Sequence, residues 1–406
     1  MASKTLTALV VAVAAAWFAL RAPDVGAVEA IAEMLGIAHW EAYIRWRDLY
    51  RPLHAELLQG ALHVDWLDSS LATALANTTD RSRALLALVR REGAGVFSLP
   101  MLSPRFCRLL SEEVAHFLAS GHTSSLPNSM NEYGVVLEEL GMGEVMTQLR
   151  EQVLNPLASA LFGKQGLEDA ALAAQPGPAP AAEDAAMKAA AEDAGAGSCC
   201  SDHRAFTVRY SPSEQPGLDM HHDASDVTLN VCLATADGLE GSGLSFCGLA
   251  GRPDHRKYRF TLQHSVGRAV VHLGTHRHGA DDILGGAREN LILWGRSRHR
   301  AGFHSRHHPR GVPLHADDVE PDARCLSWTH DADFTEYREL PPAAMKKLQE
   351  RKEAEQLMKL VRAATEEQIS RMPTDYQPVA RLLKQMSAAS DTSGEEEAGE
   401  VLAQRS

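Results

Sequence analysis

A basic excess is missing from this chain: 40 Lys and Arg stand against 53 Asp and Glu in 406 residues, a formal charge of −13. General affinity for nucleic acid needs a basic footprint, so no nucleic-acid partner is expected. Cysteine is sparse and wrongly spaced for a metal. The six residues, Cys107, Cys199, Cys200, Cys232, Cys247 and Cys325, form no CxxC pair and no zinc pattern. Cys199-Cys200 beside His203 is read as a bystander pair in a flexible stretch. Long apolar runs are missing as well, with one exception. Residues 5–20 are mostly apolar and uninterrupted between Lys4 and Arg21. As a helix they would span ~24 Å, a little short of a ~30 Å hydrocarbon core. The expectation is a signal or anchor over residues 1–24 and a membrane-anchored or lumenal protein of the secretory pathway, with a cytoplasmic or organellar location as the alternative.

Residues 165–200 hold almost nothing large and apolar and cannot bury a core, so they read as a disordered Ala/Gly/Pro-rich insertion. The acidic tail, residues 387–406, reads the same way. Helical spacing of Trp40, Tyr43, Ile44, Leu49, Leu71, Leu75, Leu85 and Leu88 makes residues 25–92 a helical region. In the lead-in, residues 93–164, Ser103 is placed to cap a helix that Pro104 opens and that runs to about Ser120, and 141–161 reads as another helix. Residues 301–386 read as a basic loop and a helical extension, with Met345, Leu348, Leu357 and Leu360 on one stripe. The run of five arginines and four histidines over 296–310 is by default a solvated loop, or else a rim for an acidic substrate, a lipid headgroup or RNA.

What is present is histidine. Nineteen of them should give about one His-x-Asp triplet by chance at ordinary Asp frequency. The chain has three: His63-Val64-Asp65, His221-His222-Asp223 and His315-Ala316-Asp317. A third ligand followed by an anion-binding Arg decides among them. Of the later histidines, only His278 has an Arg ten residues on, Arg288. His221, Asp223 and His278 would make the facial triad of two imidazoles and one carboxylate that suits non-haem Fe(II), leaving positions open for a 2-oxo acid and dioxygen. Arg288 supplies a planar, permanently charged fork for the distal carboxylate. Short buried strands are read around Val227 to Leu233, Arg268 to His272 and Asn290 to Trp294, with Gly238, Gly241, Gly243, Gly285 and Gly286 in the turns. His272 is placed on the strand face with Val270, and His276 in a turn, as a residue behind the ligands or at the surface.

Arg204 to Tyr210, His221-x-Asp223 with Thr228 to Val231, Gly241 to Phe246 and His278-Gly-Ala with Arg288 resemble the 2-oxoglutarate and Fe(II)-dependent oxygenases of the prolyl and lysyl hydroxylase group. Within that group the chain resembles the 2-oxoglutarate and iron-dependent oxygenase domain-containing protein 2 family, from about residue 93 to residue 298, Pro127 to Leu137 included. The resemblance implies an α+β fold. Its centre is a double-stranded β-helix (jelly roll), a dioxygenase domain over residues 201–300, buttressed by helices, with the N-terminal hydrophobic segment and the helical C-terminal extension outside it. It implies Fe(II) on His221, Asp223 and His278, 2-oxoglutarate as cosubstrate held by Arg288, and Tyr210 and Asn230 as further 2-oxoglutarate contacts. By the same likeness dioxygen and a polypeptide Pro or Lys side chain are the other reactants, succinate and carbon dioxide are released, and L-ascorbate is the accessory reductant. Two other classes remain open: a catalytically inactive, membrane-tethered binding module, and a zinc hydrolase that would leave Arg288 without a purpose.

Overall fold

The computed structural model describes residues 50–121, 124–162, 200–250, 254–296 and 319–342, and part of 344–381. The apolar run at 5–20, nearly all of the 165–200 insertion, residues 297–310 and the acidic tail lie outside the described residues. No described helix is long and apolar enough to cross a membrane. Residues 38–338 form one compact unit; residues 1–37 with 339–406 form another.

In the larger unit the strands are β1 (Arg90–Gly93), β2 (Val96–Pro100), β3 (Asp202–Tyr210), β4 (Leu218–His221), β5 (Val227–Thr235), β6 (Glu240–Gly241), β7 (Leu244–Leu249), β8 (Phe260–Leu262), β9 (Arg268–Leu273), β10 (His276–Ala280), β11 (Ile283–Gly285) and β12 (Arg288–Arg296). They build a six-stranded sheet, β1-β2-β9-β5-β12-β3, a four-stranded sheet, β4-β10-β7-β8, and a two-stranded pair, β11-β6. All pairings are antiparallel. From β3 onward the chain crosses repeatedly between the two larger sheets, β3 and β5 in one with β4 between them in the other, then β9 and β12 with β10 between them.

Side chains alternate across a strand, and this alternation divides the large sheet into two chemically different faces. Ala205, Val227, Leu229, Val231, Ala269, Val271, Leu291 and Leu293 point outward into the main apolar core. That core also takes in Phe106, Leu110, Val114 and Phe117 from the helix Pro104–Ala119, and Leu157 and Leu161 from Asn155–Phe162. The alternate residues, Tyr210, Thr228, Asn230, Arg288 and Asn290 among them, point inward and line a cavity that the small sheet closes. Polar groups therefore stand on strands that read as apolar, because each belongs to the opposite alternation class from the core.

The helix Pro104–Ala119 forms where the sequence places it. Ser103 accepts the Phe106 N–H at 3.3 Å, and Pro104, with no N–H to lose, opens the first turn. The helix expected over 141–161 begins later, at Gly143, because Gly141 takes a left-handed φ of 97° and ends the short helix Leu137–Leu140. A π-helical stretch, Arg150–Leu154, then joins it to Asn155–Phe162. In the other unit Leu348 and Leu357 of the expected stripe lie outside the described residues. Met345 and Leu360 are exposed, while Ala364, Ile369 and Ala380 pack together.

Beyond the described gap, residues 319–338 lie along the small sheet. A disulfide joins Cys247 of β7 to Cys325. Arg277 of β10, fully buried, donates from Nη2 to Asp331 at 2.6 Å and from Nε to the Cys325 carbonyl at 2.8 Å. Asp219 of β4 accepts from the Ser327 hydroxyl at 2.7 Å and from the Thr329 N–H at 3.1 Å.

Candidate active site

His221 and His278 are direct cross-strand partners in β4 and β10. Each ring nitrogen Nδ1 lies 2.8 Å from the carbonyl two residues back, that of Asp219 for His221 and that of His276 for His278. A carbonyl can only accept, so Nδ1 carries a proton in both rings, and Nε2 is the atom that faces Asp223. The ring centroids are 4.4 Å apart.

Asp223 joins them from the loop after β4. Its N–H donates to the Gly274 carbonyl at 2.9 Å. The loop comes so close that a Cβ on Gly274 would lie 2.0 Å from the Ser225 carbonyl oxygen, so only glycine fits there. The Asp223 carboxylate then sits 3.4 Å from His221 Nε2 and 3.6 Å from His278 Nε2. The Thr228 hydroxyl donates to Asp223 Oδ2 at 2.6 Å and is itself 2.7 Å from the Ser225 hydroxyl. Among the described residues, His221, Asp223 and His278 are the one group of three possible metal ligands, their ligand atoms all within 4.8 Å of one another.

Burial pushes the Asp223 carboxyl up, but the neighbouring His278 and His221 outweigh it and hold the group below the usual carboxylate range. Burial lowers His278 to about 4 despite the nearby carboxylate. The cluster presents two imidazole nitrogens and one carboxylate, three donor groups converging on one point. That set fits a divalent first-row ion.

The other two histidines of this stretch stand apart. His272 is on β9, fully buried, with Nδ1 2.9 Å from the Leu273 carbonyl and its ring 4.5 Å from that of His278. His276 is the first residue of β10, not part of a turn, and is buried. Its Nε2 lies 2.9 Å from the Cys247 carbonyl, so that nitrogen is a donor and the ring packs within the small sheet. The glycine after His278 makes room for a strand. A Cβ on Gly279 would meet the Leu218 carbonyl of β4 at 2.9 Å.

Arg288 lies in the same cavity, on β12 opposite Tyr210 of β3. Only 2% of it is exposed, its guanidinium lies 5.0 Å from the Tyr210 ring centroid, and its Nε and Nη2 are buried with no hydrogen-bond partner among the described residues. Buried donors are almost always paired, so two orphans on one permanently charged fork indicate a missing acceptor. A carboxylate matches that fork. The Tyr210 hydroxyl accepts from Asn131 Nδ2 at 3.1 Å, and Asn230 Oδ1 accepts from Asn290 Nδ2 at 2.5 Å. All six residues singled out in the sequence therefore line one cavity.

Sequence reading missed Asn128, Asn131, Asn290 and Trp294, which line it too. Two had a signal: from Arg288, alternation along β12 leads to Asn290, Ile292 and Trp294. Asn131 had none, since 79 residues separate it from the tyrosine it touches. Asn290 Oδ1 and Trp294 Nε1 are also buried without a partner among the described residues, so unmet hydrogen-bonding capacity extends beyond Arg288.

Residues 47–167 match the OGFOD2-like domain. The likeness therefore starts well before residue 93, in helices whose apolar periodicity identifies a helix but not a family. The match ends before β3 and so contains none of the metal-ligand candidates. The chain is 34% identical over 260 residues to the 2-oxoglutarate and iron-dependent oxygenase domain-containing protein 2 of Danio rerio, covering 62% of this chain and 64% of that protein. It thus spans less than two thirds of that relative's length. A shorter stretch of 43 residues is 51% identical to procollagen-lysine,2-oxoglutarate 5-dioxygenase 1 of Rattus norvegicus, covering 10% of this chain and 6% of that one. A crystal structure of a Pseudomonas putida prolyl-4-hydroxylase is 18% identical and covers 50% of this chain and 89% of its own, at a TM-score of 0.29 that is too low to argue from. Residues 47–167 are thus similar to the OGFOD2-like domain, and the chain is similar over about three fifths of its length to the 2-oxoglutarate and iron-dependent oxygenase domain-containing protein 2 of Danio rerio.

Proposed function

We propose that this chain is an Fe(II)- and 2-oxoglutarate-dependent dioxygenase that hydroxylates a Pro or Lys side chain of a polypeptide and releases succinate and carbon dioxide. One observation carries the reading: a cavity that holds a His, Asp, His donor set also holds a buried arginine fork with two orphan donors. A small dicarboxylate with a metal-chelating 2-oxo acid at one end satisfies both. The strands that cross between two antiparallel sheets around the cavity support a double-stranded β-helix.

In this reading His221, Asp223 and His278 hold the iron, and the iron with 2-oxoglutarate and dioxygen supplies the oxidation of a C–H bond to C–OH. The chain's own residues do the rest. Arg288 neutralises the distal carboxylate where water would otherwise compete, and Tyr210 donates to the same end. Thr228 fixes the Asp223 carboxylate, and the backbone carbonyls of Asp219 and His276 aim the two imidazoles. Phe206, Val208 and Ile292 supply apolar wall that keeps the cavity dry. L-ascorbate is the expected accessory reductant. The Lys alternative draws on the likeness to procollagen-lysine,2-oxoglutarate 5-dioxygenase 1, which extends over 43 residues.

Succinate formation by the full chain with Fe(II), ascorbate and 2-oxoglutarate, with and without Pro- and Lys-containing peptides, tests the proposal, and mass spectrometry locates the added oxygen. Metal and 2-oxoglutarate binding with no succinate under any condition would replace it with the binding-module reading. For location we propose an oxidising compartment, on the Cys247–Cys325 disulfide. A reporter fused to residues 1–30 that stays in the cytosol would remove that part.

A further inference from the structure

The direction of the Tyr210 hydroxyl proton is decided by two asparagines in the lead-in segment. Asn128 Oδ1 lies 2.8 Å from both the Met130 N–H and the Asn131 N–H. Backbone N–H groups only donate, so this atom must be the amide oxygen, and the other end of the Asn128 side chain must be its NH₂. That NH₂ points at Asn131, 2.9 Å away. The Asn131 atom facing it must then be oxygen, which leaves the Asn131 NH₂ aimed at the Tyr210 hydroxyl, 3.1 Å away. The hydroxyl oxygen therefore accepts, and its own proton has to be donated elsewhere. Tyr210 has no other hydrogen-bond partner among the described residues, and it lines the cavity beside the orphan donors of Arg288.

We propose that Asn131, held in polarity by Asn128, is a positioning residue that compels Tyr210 to act as a hydrogen-bond donor to the carboxylate bound by Arg288. This rests on the functional reading above. Asn131 is 2% exposed and is held on its other side by the neighbouring segment, where the Gln215 side chain bridges the Glu132 N–H at 3.1 Å and the Met130 carbonyl at 3.2 Å. The relay is thus anchored to backbone at Asn128, and Gln215 braces the residues on either side of Asn131. Its proposed effect on the carboxylate passes through the orientation of one proton. An unconstrained tyrosine in the same place could turn that proton to Asn131 and present only lone pairs to an anion.

Asn131→Asp inverts the polarity at constant shape: both carboxylate oxygens accept, so the Tyr210 proton turns away from the cavity. The measurement is the dissociation constant of 2-oxoglutarate for the Mn(II)-loaded full chain by calorimetry, in the absence of turnover. Loss of a hydrogen bond to a charged group should weaken binding by roughly tenfold or more in Asn131→Asp. Because the substitution also adds a charge, it is repeated in Tyr210→Phe, where the further loss should be no more than about twofold if the effect passes through the hydroxyl. Equal weakening in both backgrounds would mean that charge alone acts, and unchanged affinity in Asn131→Asp would equally overturn the inference. Should that variant fail to fold, judged by its melting temperature and Mn(II) affinity, Asn128→Asp keeps the turn acceptor and removes only the NH₂ that polarises Asn131. It should weaken 2-oxoglutarate severalfold, and parent-like affinity would overturn the relay. A parent chain that binds Mn(II) but no 2-oxoglutarate would instead remove the functional reading, and this inference with it.

Discussion

Asp223 is the single anion of the three-ligand cluster, and its neighbours are arranged to keep it one. Asp223→Ala should remove most Fe(II) affinity and all succinate formation, because two imidazoles alone lack the anionic ligand that suits a divalent first-row ion. Metal titration followed by a succinate assay checks this, and undiminished turnover would dismiss the assignment. Arg288→Ala should leave the metal site loaded but raise the KM for 2-oxoglutarate, since a buried carboxylate losing its charged partner costs about 2 to 5 kcal/mol. Equal 2-oxoglutarate dependence in variant and parent would count against it. Among the histidines, His278→Ala should abolish metal binding. His276→Ala should keep metal binding, as its Nε2 is given to the Cys247 carbonyl and its ring packs in the small sheet. The reverse outcome would move the site by two residues and separate it from Arg288.

At the scale of elements, the two ligand strands are backed by residues 325–331. Asp219 and Arg277, each within two residues of a ligand histidine, are both tied to this segment, and the Cys247–Cys325 bond closes it over 78 residues of chain. Replacing both cysteines by serine should lower stability by about 2 to 4 kcal/mol, as is typical for a native cross-link. Asp331→Asn should cost as much or more, because it leaves the fully buried Arg277 guanidinium without its counter-charge. Thermal unfolding of the parent with and without a reductant, beside the Asp331 variant, measures both. A parent melting temperature indifferent to the reductant would show that the segment docks without the bond.

For the whole molecule the buried histidines set the acid limit. Burial, the largest cause in each case, lowers His272 and His276 to about 3 and His278 to about 4. In the unfolded chain each would titrate near the ordinary ~6.5, so between that value and about 4 the unfolded state binds more protons. Stability of the metal-free protein should therefore fall as pH drops below about 6.5, by at most about 1.4 kcal/mol per pH unit for each histidine. Glu289 works in the opposite sense. Burial raises it to about 7, against the effect of the Ser111 hydroxyl it accepts from, so the folded state holds a proton that the unfolded state has released. Its contribution is present below about 4.5 and is lost as pH rises through about 7. Glu289→Gln should thus gain stability relative to the parent above pH 7 and little at pH 4. Melting curves over the pH range, with a difference of the opposite sign, would show that the carboxyl is ionised in the folded state.

Much of the site was legible before any fold was known, because the chemistry demands residue types at separations that a few strands can bridge. His221-x-Asp223 places two donors on either side of one residue, and the ten-residue interval from His278 to Arg288 spans the end of β10, the short β11 and the start of β12. Tyr210 and Asn230 came by resemblance, and the strands and the Pro104 helix came from alternation and capping, which are local. What the sequence could not contain is what depends on pairing between distant segments. The register that sets His221 against His278, and Tyr210 against Arg288, is fixed by which strands become neighbours. The same holds for the place of His276 inside a strand, the choice of Cys247 and Cys325 among six cysteines, and the reach of Asn131 to a tyrosine 79 residues away. The sequence by itself determined which atoms could bind a metal and a dicarboxylate. Only the tertiary structure decided which lone pairs point inward, because a hydrogen-bond direction is set by the partner across the gap and not by the chain that carries it.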